Sequence, residues 1–476
     1  MNKKEEVILN LMKDDDYVPM KAKELAMILG VPKKDYNEFL EILNNLEMNF
    51  KIGKNKKKRY RVIEEDYQEG IYRRNAKGYG FVKIEGQDEE VYISKENSLN
   101  ALNGDKVVIE IIEEKNKVKS AEGKIKRIIK HEKETVVGTF QNNKNFGFVI
   151  PDDRNFGTDI FISKNDFGKA RDGHKVLVKI TKYPMNNKKA EGKVIEVLGK
   201  PNEAGIDMLS LIKEYNLPFE STQDTNLLDK KYGKEIDKKD IKNRVDLRND
   251  IIFTIDGEDA KDLDDAVRVE KLKNGNYKLD VHIADVSNYV KEGSLLDREA
   301  LIRGTSIYML GRVIPMLPRE LSNGICSLNA GEDRFTLSCS MEIDPKGNVI
   351  SSEVYKGVIN VTERMNYHDV QAILDKSDEK VLKKYEKYIK DFELMAELAN
   401  ILKEKRLNAG YLNLDIPESK IDLDINGHAI NVGKYETSFS NEIIEQFMLT
   451  ANETVAEKFY WLDAPFIYRV HEEPDL

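Results

Sequence analysis

Six carboxylates crowd into ten residues of the stretch 254–266, and four of them, Asp256, Asp262, Asp264 and Asp265, are the candidates for chemistry. Like charges at this spacing repel, so a folded chain tolerates them only where solvent or a cation screens them. Carboxylate oxygens are hard ligands and select Mg²⁺, Mn²⁺ or Ca²⁺ over softer metals. A calcium-binding EF-hand loop starting at Asp256 would need Gly at its sixth position and Glu at its twelfth, where Lys261 and Val267 stand. Two readings remain open for the run, a metal site and a solvated surface loop. A cation held by some of these aspartates would lower the pKa of a bound water and orient a phosphodiester. Asp264 is taken as the least replaceable of the four, and spacing does not assign the separate roles.

The flanks say what must position the run. Asp246-Leu247-Arg248 and the apolar residues 251–253 predict a short buried strand ending at Asp256. Residues 266–269 and 277–283 alternate in polarity around Asn274-Gly275, a strong hairpin signal. The aspartates then sit on a loop braced by sheet, as a preorganised site requires. Nucleophilic chemistry finds little support. The histidines, His131, His174, His282, His368, His428 and His471, fall at no metal-ligand or triad spacing, and there is no Gly-x-Ser-x-Gly elbow.

At 476 residues the chain exceeds one core and predicts several domains. Two cysteines, Cys326 and Cys339, fit a reducing compartment rather than a disulfide scaffold. The charged start lacks the apolar core of a signal peptide, and no apolar run reaches the 18 or so residues of a membrane span. These features predict a cytoplasmic protein with no membrane partner. The net charge of −9 hides an asymmetry: residues 1–200 carry 40 Lys+Arg against 33 Asp+Glu, and the remainder carries 36 against 52. A basic front half joined to an acidic back half suits nucleic-acid capture ahead of a metal-dependent site.

Residues 1–62 predict two helices, 23–30 and 35–46, around Gly30 and Pro32, then a ribbon (51–61) with seven Lys or Arg in 11 residues. This order resembles a winged helix-turn-helix. An internal repeat follows, in which Tyr79-Gly80-Phe81 and Phe146-Gly147-Phe148 are equivalent. Each unit, 68–130 and 134–197, resembles a cold-shock-type OB-fold β-barrel. Alternation puts Tyr79 with Phe81, and Phe146 with Phe148, on one strand face beside Lys77 and Lys144. Such faces bind single strands by stacking bases and holding the backbone. Residues 198–242 read as a connector with a helix at 206–215. Residues 243–476 mix hairpins with long helices at 379–407 and 441–459, an α+β pattern.

Asp246-Leu-Arg248, the run 254–266, His282-Ile-Ala-Asp-Val-Ser287, Arg303-Gly-Thr-Ser-Ile-Tyr308, Val313-Ile-Pro-Met-Leu-Pro318 and Leu321-Ser-Asn-Gly-Ile-Cys-Ser-Leu328 occur in one order. This set resembles the signature of the ribonuclease II/ribonuclease R (RNB) family, and the barrels ahead of it resemble the ribonuclease R type. The resemblance implies a hydrolytic 3′-to-5′ exoribonuclease dependent on Mg²⁺, with Mn²⁺ substituting. It would act on single-stranded or structured RNA and release nucleoside 5′-monophosphates. It further implies that Tyr308 stacks on the terminal nucleotide, that Tyr367 contacts RNA backbone or ribose, and that Glu445 serves the preference for ribose. RNA is the expected partner and the chain is expected to be a monomer. Two departures bear on the pocket: Leu414 stands near an expected phenylalanine, and Gln446 replaces a common glutamate. The residues 468–476 resemble the middle of the family's nuclease domain, so an incomplete domain is expected, lacking an arginine-rich segment and a final OB fold. The competing reading is a non-catalytic, chaperone-like RNA-binding protein working through the repeats.

Overall fold

The computed structural model describes residues 3–14, 17–48, 51–55, 57–62, 67–87, 89–113, 120–185, 188–218, 235–411 and 418–470. The chain gathers into two compact units, 1–217 and 218–476.

The first unit begins with helices Lys3–Met12, Ala22–Ile28 and Tyr36–Met48, whose apolar faces meet around Leu25, Phe39 and Leu43. Gly30 takes a left-handed turn (φ +64°) just after the second helix, as a helix stop does. A ribbon of β1 (Ile52–Lys54) and β2 (Tyr60–Val62) closes this subdomain, with Ile52 and Tyr60 buried beneath it. The first helix was not among the sequence expectations.

Two five-stranded closed barrels follow. The first comprises β3 (Tyr67–Arg74), β4 (Gly80–Ile84), β5 (Glu90–Ile93), β6 (Lys106–Glu113) and β7 (Glu122–Lys130), closed in the order β3-β4-β5-β7-β6. The second repeats it with β8 (Thr135–Asn143), β9 (Phe146–Pro151), β10 (Ile160–Ser163), β11 (Lys175–Lys182) and β12 (Ala190–Gly199). Each barrel fills its interior from alternate strand positions, around Tyr72 and Val82 in one and Phe140 and Val149 in the other. The helix Ile206–Glu214 packs on the second barrel, where Glu214 accepts from the Val137 amide (3.0 Å) and pairs with Lys133 (2.6 Å).

The second unit is built on a seven-stranded mixed sheet. Its strands are β13 (Val245–Leu247), β14 (Phe253–Asp256), β15 (Asp265–Lys271), β16 (Tyr277–Ala284), β19 (Asp333–Ile343), β20 (Val349–Asn360) and β21 (Glu363–Asn366), in the order β13-β20-β19-β16-β15-β14-β21. Between β16 and β19 lie the helix Leu295–Arg303 and a small hairpin, β17 (Ile307–Met309) with β18 (Arg312–Ile314). Helices Tyr367–Asp375, Ile389–Asn408 and Phe439–Trp461 cover one sheet face, burying Phe253, Val267, Phe392 and Phe447 together. A second core, around Ile252, Leu263, Phe335 and Val358, fills the other face. A separate hairpin, β22 (Ser419–Leu423) with β23 (Ala429–Lys434), precedes the last helix.

The hairpin predicted around Asn274-Gly275 is β15–β16, with Gly275 in the left-handed region (φ +87°). One expectation is corrected. The helix predicted over 379–407 is two helices, Glu379–Lys384 and Ile389–Asn408, broken by a tight turn at Glu386–Tyr388. Tyr385 and Tyr388 are both buried, and the Tyr388 ring meets Phe253 edge-on at 5.0 Å. Turning two aromatic rings into the core redirects the chain there. Among the described residues no helix is long and apolar enough to cross a membrane.

Candidate functional site

The acidic loop hangs between two strand ends. Asp256 closes β14, in parallel register with Asn366 of β21, and Asp265 opens β15 opposite Ile283. Two buried strands fix where the loop leaves and returns. Arg364 spans it from the β21 side, donating to the carbonyls of Glu258 (3.0 Å) and Ala260 (2.6 Å). Leu263, only 1% exposed, anchors the middle in the second core, so its neighbours Asp262 and Asp264 are directed away from that core.

Electrostatics follow from this crowding. Burial, then repulsion from Asp256 and Asp264, pushes the Asp265 carboxyl up to about 6. The Asp256 carboxyl is raised first by burial and then by Asp262, against a hydrogen bond from the Gly257 amide. The Asp264 carboxyl is raised by desolvation, then by Asp262 and Asp256; the residue stays open to solvent, which screens part of that repulsion. The four aspartates therefore share one electrostatic neighbourhood. They do not form a closed cage: among the described residues no three His, Cys, Asp or Glu side chains meet as a ready metal-ligand group. The strand ends and the Arg364 bonds hold these carboxyls within electrostatic reach of one another despite their repulsion.

The aromatic candidates divide. Tyr308, on β17, is 68% exposed, and its hydroxyl donates to Asp262 Oδ2 at 2.8 Å. That bond to a carboxylate, with partial burial, pushes its pKa up to about 12. Tyr367 begins the helix after β21, and its hydroxyl is held protonated by burial, then by Asp256 and Asp265. Both tyrosines thus belong to the aspartate neighbourhood. Glu445 is exposed on the last helix and lies 3.5 Å from the Tyr411 hydroxyl, at the limit of hydrogen bonding. The neighbouring Gln446 is buried and accepts from Arg406 Nε (3.0 Å), a packing role. Leu414 and His471 lie outside the described residues.

Other motif residues are framework. His282 is buried, bonded through Nδ1 to Ser338 (2.8 Å), and desolvation pushes its pKa down to about 4. Asp285 pairs with Arg244 at 2.6 Å, both buried, while the guanidinium also lies over Phe335.

In the first unit the repeat yields two matched aromatic faces. Tyr79 and Phe81 stand 6.1 Å apart, edge to face, and Phe146 and Phe148 stand 5.5 Å apart. All four rings are half-buried, beside the exposed Lys77 and Lys144. Sequence reasoning missed a third ring on each face. Phe81 pairs across the sheet with Tyr92 (5.7 Å), and Phe148 with Phe161 (6.0 Å). Alternation within 91–94 and 160–163 was the signal that could have found them. Lys189 also lies over the Phe148 ring at 4.7 Å. Gly80 and Gly147 let the strands lie close: a Cβ at either would meet the Tyr72 ring at 2.4 Å or the Phe140 ring at 2.5 Å.

Residues 70–128 match the Ribonuclease B OB domain, residues 148–220 a cold shock domain, and residues 244–476 the RNB domain. Barrels of this type set ahead of an RNB domain define the class of protein. The chain carries an RNB domain over residues 244–476, and the relatives it is similar to are ribonuclease R proteins. Ribonuclease R of Thermotoga maritima is 41% identical over 469 residues, covering 97% of this chain and 65% of that protein. Ribonuclease R 1 of Lactococcus lactis is 39% identical over 486 residues, covering 98% and 59%. Mycoplasma genitalium RNase R, solved with ribose-methylated single-stranded RNA, superposes with a TM-score of 0.78 at 26% identity, over 85% of this chain and 64% of that one. Yeast Ssd1, described as a pseudonuclease, shares the fold with a TM-score of 0.60 at 17% identity, over 94% of this chain and 57% of that one. The chain spans between 55% and 65% of the length of the ribonuclease R relatives it matches.

Proposed function

We propose that the protein is a ribonuclease R-like exoribonuclease, removing nucleoside 5′-monophosphates from the 3′ end of single-stranded or structured RNA by hydrolysis. The observation that carries this reading is the shared electrostatic neighbourhood of Asp256, Asp262, Asp264 and Asp265, with the exposed Tyr308 ring hydrogen-bonded to its edge. The names of the relatives and the RNA-bound Mycoplasma structure support RNA as the substrate.

The donor set fits a divalent cation. Its ligands are hard oxygens, and their mutual repulsion is the kind a cation relieves. Asp256, Asp262, Asp264 and Asp265 are the residues that would hold Mg²⁺, or Mn²⁺ in its place. Bound there, such an ion supplies charge neutralisation at the phosphate and a water of lowered pKa.

The chain's own groups do the rest. Tyr308 offers an open ring for the terminal base, while its hydroxyl orients Asp262. Tyr367 is held protonated and therefore donates to ribose or phosphate oxygen. Glu445 accepts from ribose hydroxyls. The barrels 68–130 and 134–197 grip single strands through Tyr79, Phe81, Phe146 and Phe148, with Lys77 and Lys144 on the backbone. Residues 1–62 act as a winged helix-turn-helix that touches phosphates through its ribbon, 198–242 connect, and 243–476 carry the chemistry. The protein works as a cytoplasmic monomer.

The test is uniformly labelled single-stranded RNA incubated with Mg²⁺ and with EDTA. Nucleoside 5′-monophosphates released stepwise from the 3′ end, with Mg²⁺ alone, are expected. RNA binding without cleavage in Mg²⁺ or Mn²⁺ would favour the non-catalytic reading.

A further inference from the structure

The loop that carries the aspartates is held from behind by a hydroxyl. Ser327 Oγ accepts from the Leu263 amide (3.2 Å) and donates to the Lys261 carbonyl (2.9 Å), so one side chain bridges the residues on either side of Asp262. The next residue continues the seam, with the Leu328 amide donating to the Leu263 carbonyl (2.9 Å). From β16 the Ala284 amide donates to the Asp264 carbonyl (3.0 Å). Ser327 is fully buried in the core that also holds Leu263, Ile325, Cys326 and Leu328.

Ser327 is itself fixed. The Arg334 guanidinium donates through Nε to the Ser327 carbonyl (2.8 Å) and from a terminal nitrogen to the Gly324 carbonyl (3.3 Å). Arg334 is 2% exposed at the start of β19, so its position is set by the central sheet. Burying a hydroxyl in an apolar core is unfavourable unless its bonds are met, and the two shorter bonds of this one go to the acidic loop, beside a longer contact with Asn329 Oδ1 at 3.5 Å. A residue needed only to fill space there would not require an oxygen.

We propose that Ser327, braced by Arg334, is the positioning residue that sets where Asp262 and Asp264 stand. It touches no substrate; it removes the freedom of the backbone that bears the two carboxylates. This inference rests on the reading of the aspartates as a cation site, and the experiment separates the two.

Mn²⁺ binding is measured by calorimetry on the 476-residue chain, on Ser327→Ala and on Asp262→Asn, with single-stranded RNA affinity and melting temperature recorded alongside. Partners behind metal ligands typically change metal affinity by about 10–100-fold. Ser327→Ala is expected to weaken Mn²⁺ binding about tenfold, with RNA affinity within about twofold of the parent and cooperative melting retained. Unchanged Mn²⁺ affinity in folded Ser327→Ala overturns the proposal. Equal Mn²⁺ binding by the parent and Asp262→Asn, or none by the parent, sinks the cation reading instead. Hydrogen exchange then decides the positioning claim: amides 262–265 should exchange at least about tenfold faster in Ser327→Ala while those of β16 stay unchanged, and equal rates refute it. If Ser327→Ala does not fold, the same readouts on Ser327→Cys decide, since a thiol, somewhat larger than the hydroxyl, fills the site and is only a weak hydrogen-bonding group.

Discussion

Asp265 carries a cost at neutral pH. Its carboxyl titrates near 6 in the fold, against 3.8 for the free group. A raised acid pKa means the folded state holds the proton more tightly. The favourable contribution is therefore complete below about pH 4 and lost as pH rises through 6. Above that window the difference corresponds to about 3 kcal/mol of strain without a counter-charge. Asp265→Asn should accordingly raise the melting temperature of the cation-free chain at pH 7.5 and leave it nearly unchanged at pH 4. His282 acts in the opposite sense, since its pKa of about 4 lies below its free value of 6.5. It contributes stability above 6.5, and this is lost as pH falls through 4. Melting curves of Asp265→Asn and the parent at both pH values separate the two groups. Mg²⁺ should raise the parent's melting temperature more at pH 7.5, where Asp265 is ionised, than at pH 5. An equal shift at both pH values would mean that the ion binds elsewhere.

Elements place these residues, and here the sequence was only partly legible. The strand into Asp256 and the β15–β16 hairpin follow from local pattern and turn chemistry, so the ends of the acidic loop could be foreseen. Its bracing could not, because Arg364 and Ser327 reach the loop from about 60 to 110 residues away in the chain. The helix over 379–407 failed for a related reason: helical periodicity continues through Tyr385 and Tyr388, but the depth of the core at Phe253 decides where those rings go. On the barrels, the repeat exposed two rings per face and tertiary pairing supplied Tyr92 and Phe161. Phe81→Ala, Phe148→Ala and Phe161→Ala should each weaken single-stranded RNA binding by roughly 1–3 kcal/mol with little change in melting temperature. Early melting with unchanged affinity would make those rings core. Gly147→Ala should behave in reverse, because its Cβ would meet the Phe140 ring at 2.5 Å. Overpacking of that kind costs typically 1–3 kcal/mol, read as a lower melting temperature of the second barrel.

At the scale of the molecule, the charge asymmetry agrees with the division of the chain into units at 217. The excess of basic over acidic residues and the stacking faces fall in the first unit and the aspartates in the second. Affinity for RNA and its cleavage should therefore separate under mutation. The order of two barrels followed by an RNB domain was legible because the repeat and the long motifs stand in the sequence; how the four carboxyls stand relative to one another was not, since spacing says nothing about how repelling side chains splay. The fold alone does not decide activity, as a pseudonuclease shares it. One comparison addresses the central claim directly: parent and Asp264→Asn, assayed together for RNA affinity and for mononucleotide release in saturating Mg²⁺. Asn keeps the shape and one oxygen while removing the charge. The account predicts release from the parent, release below a few per cent of that from Asp264→Asn, and RNA affinities within about twofold of each other. Substantial turnover by Asp264→Asn, or loss of RNA binding in step with loss of cleavage, would contradict it.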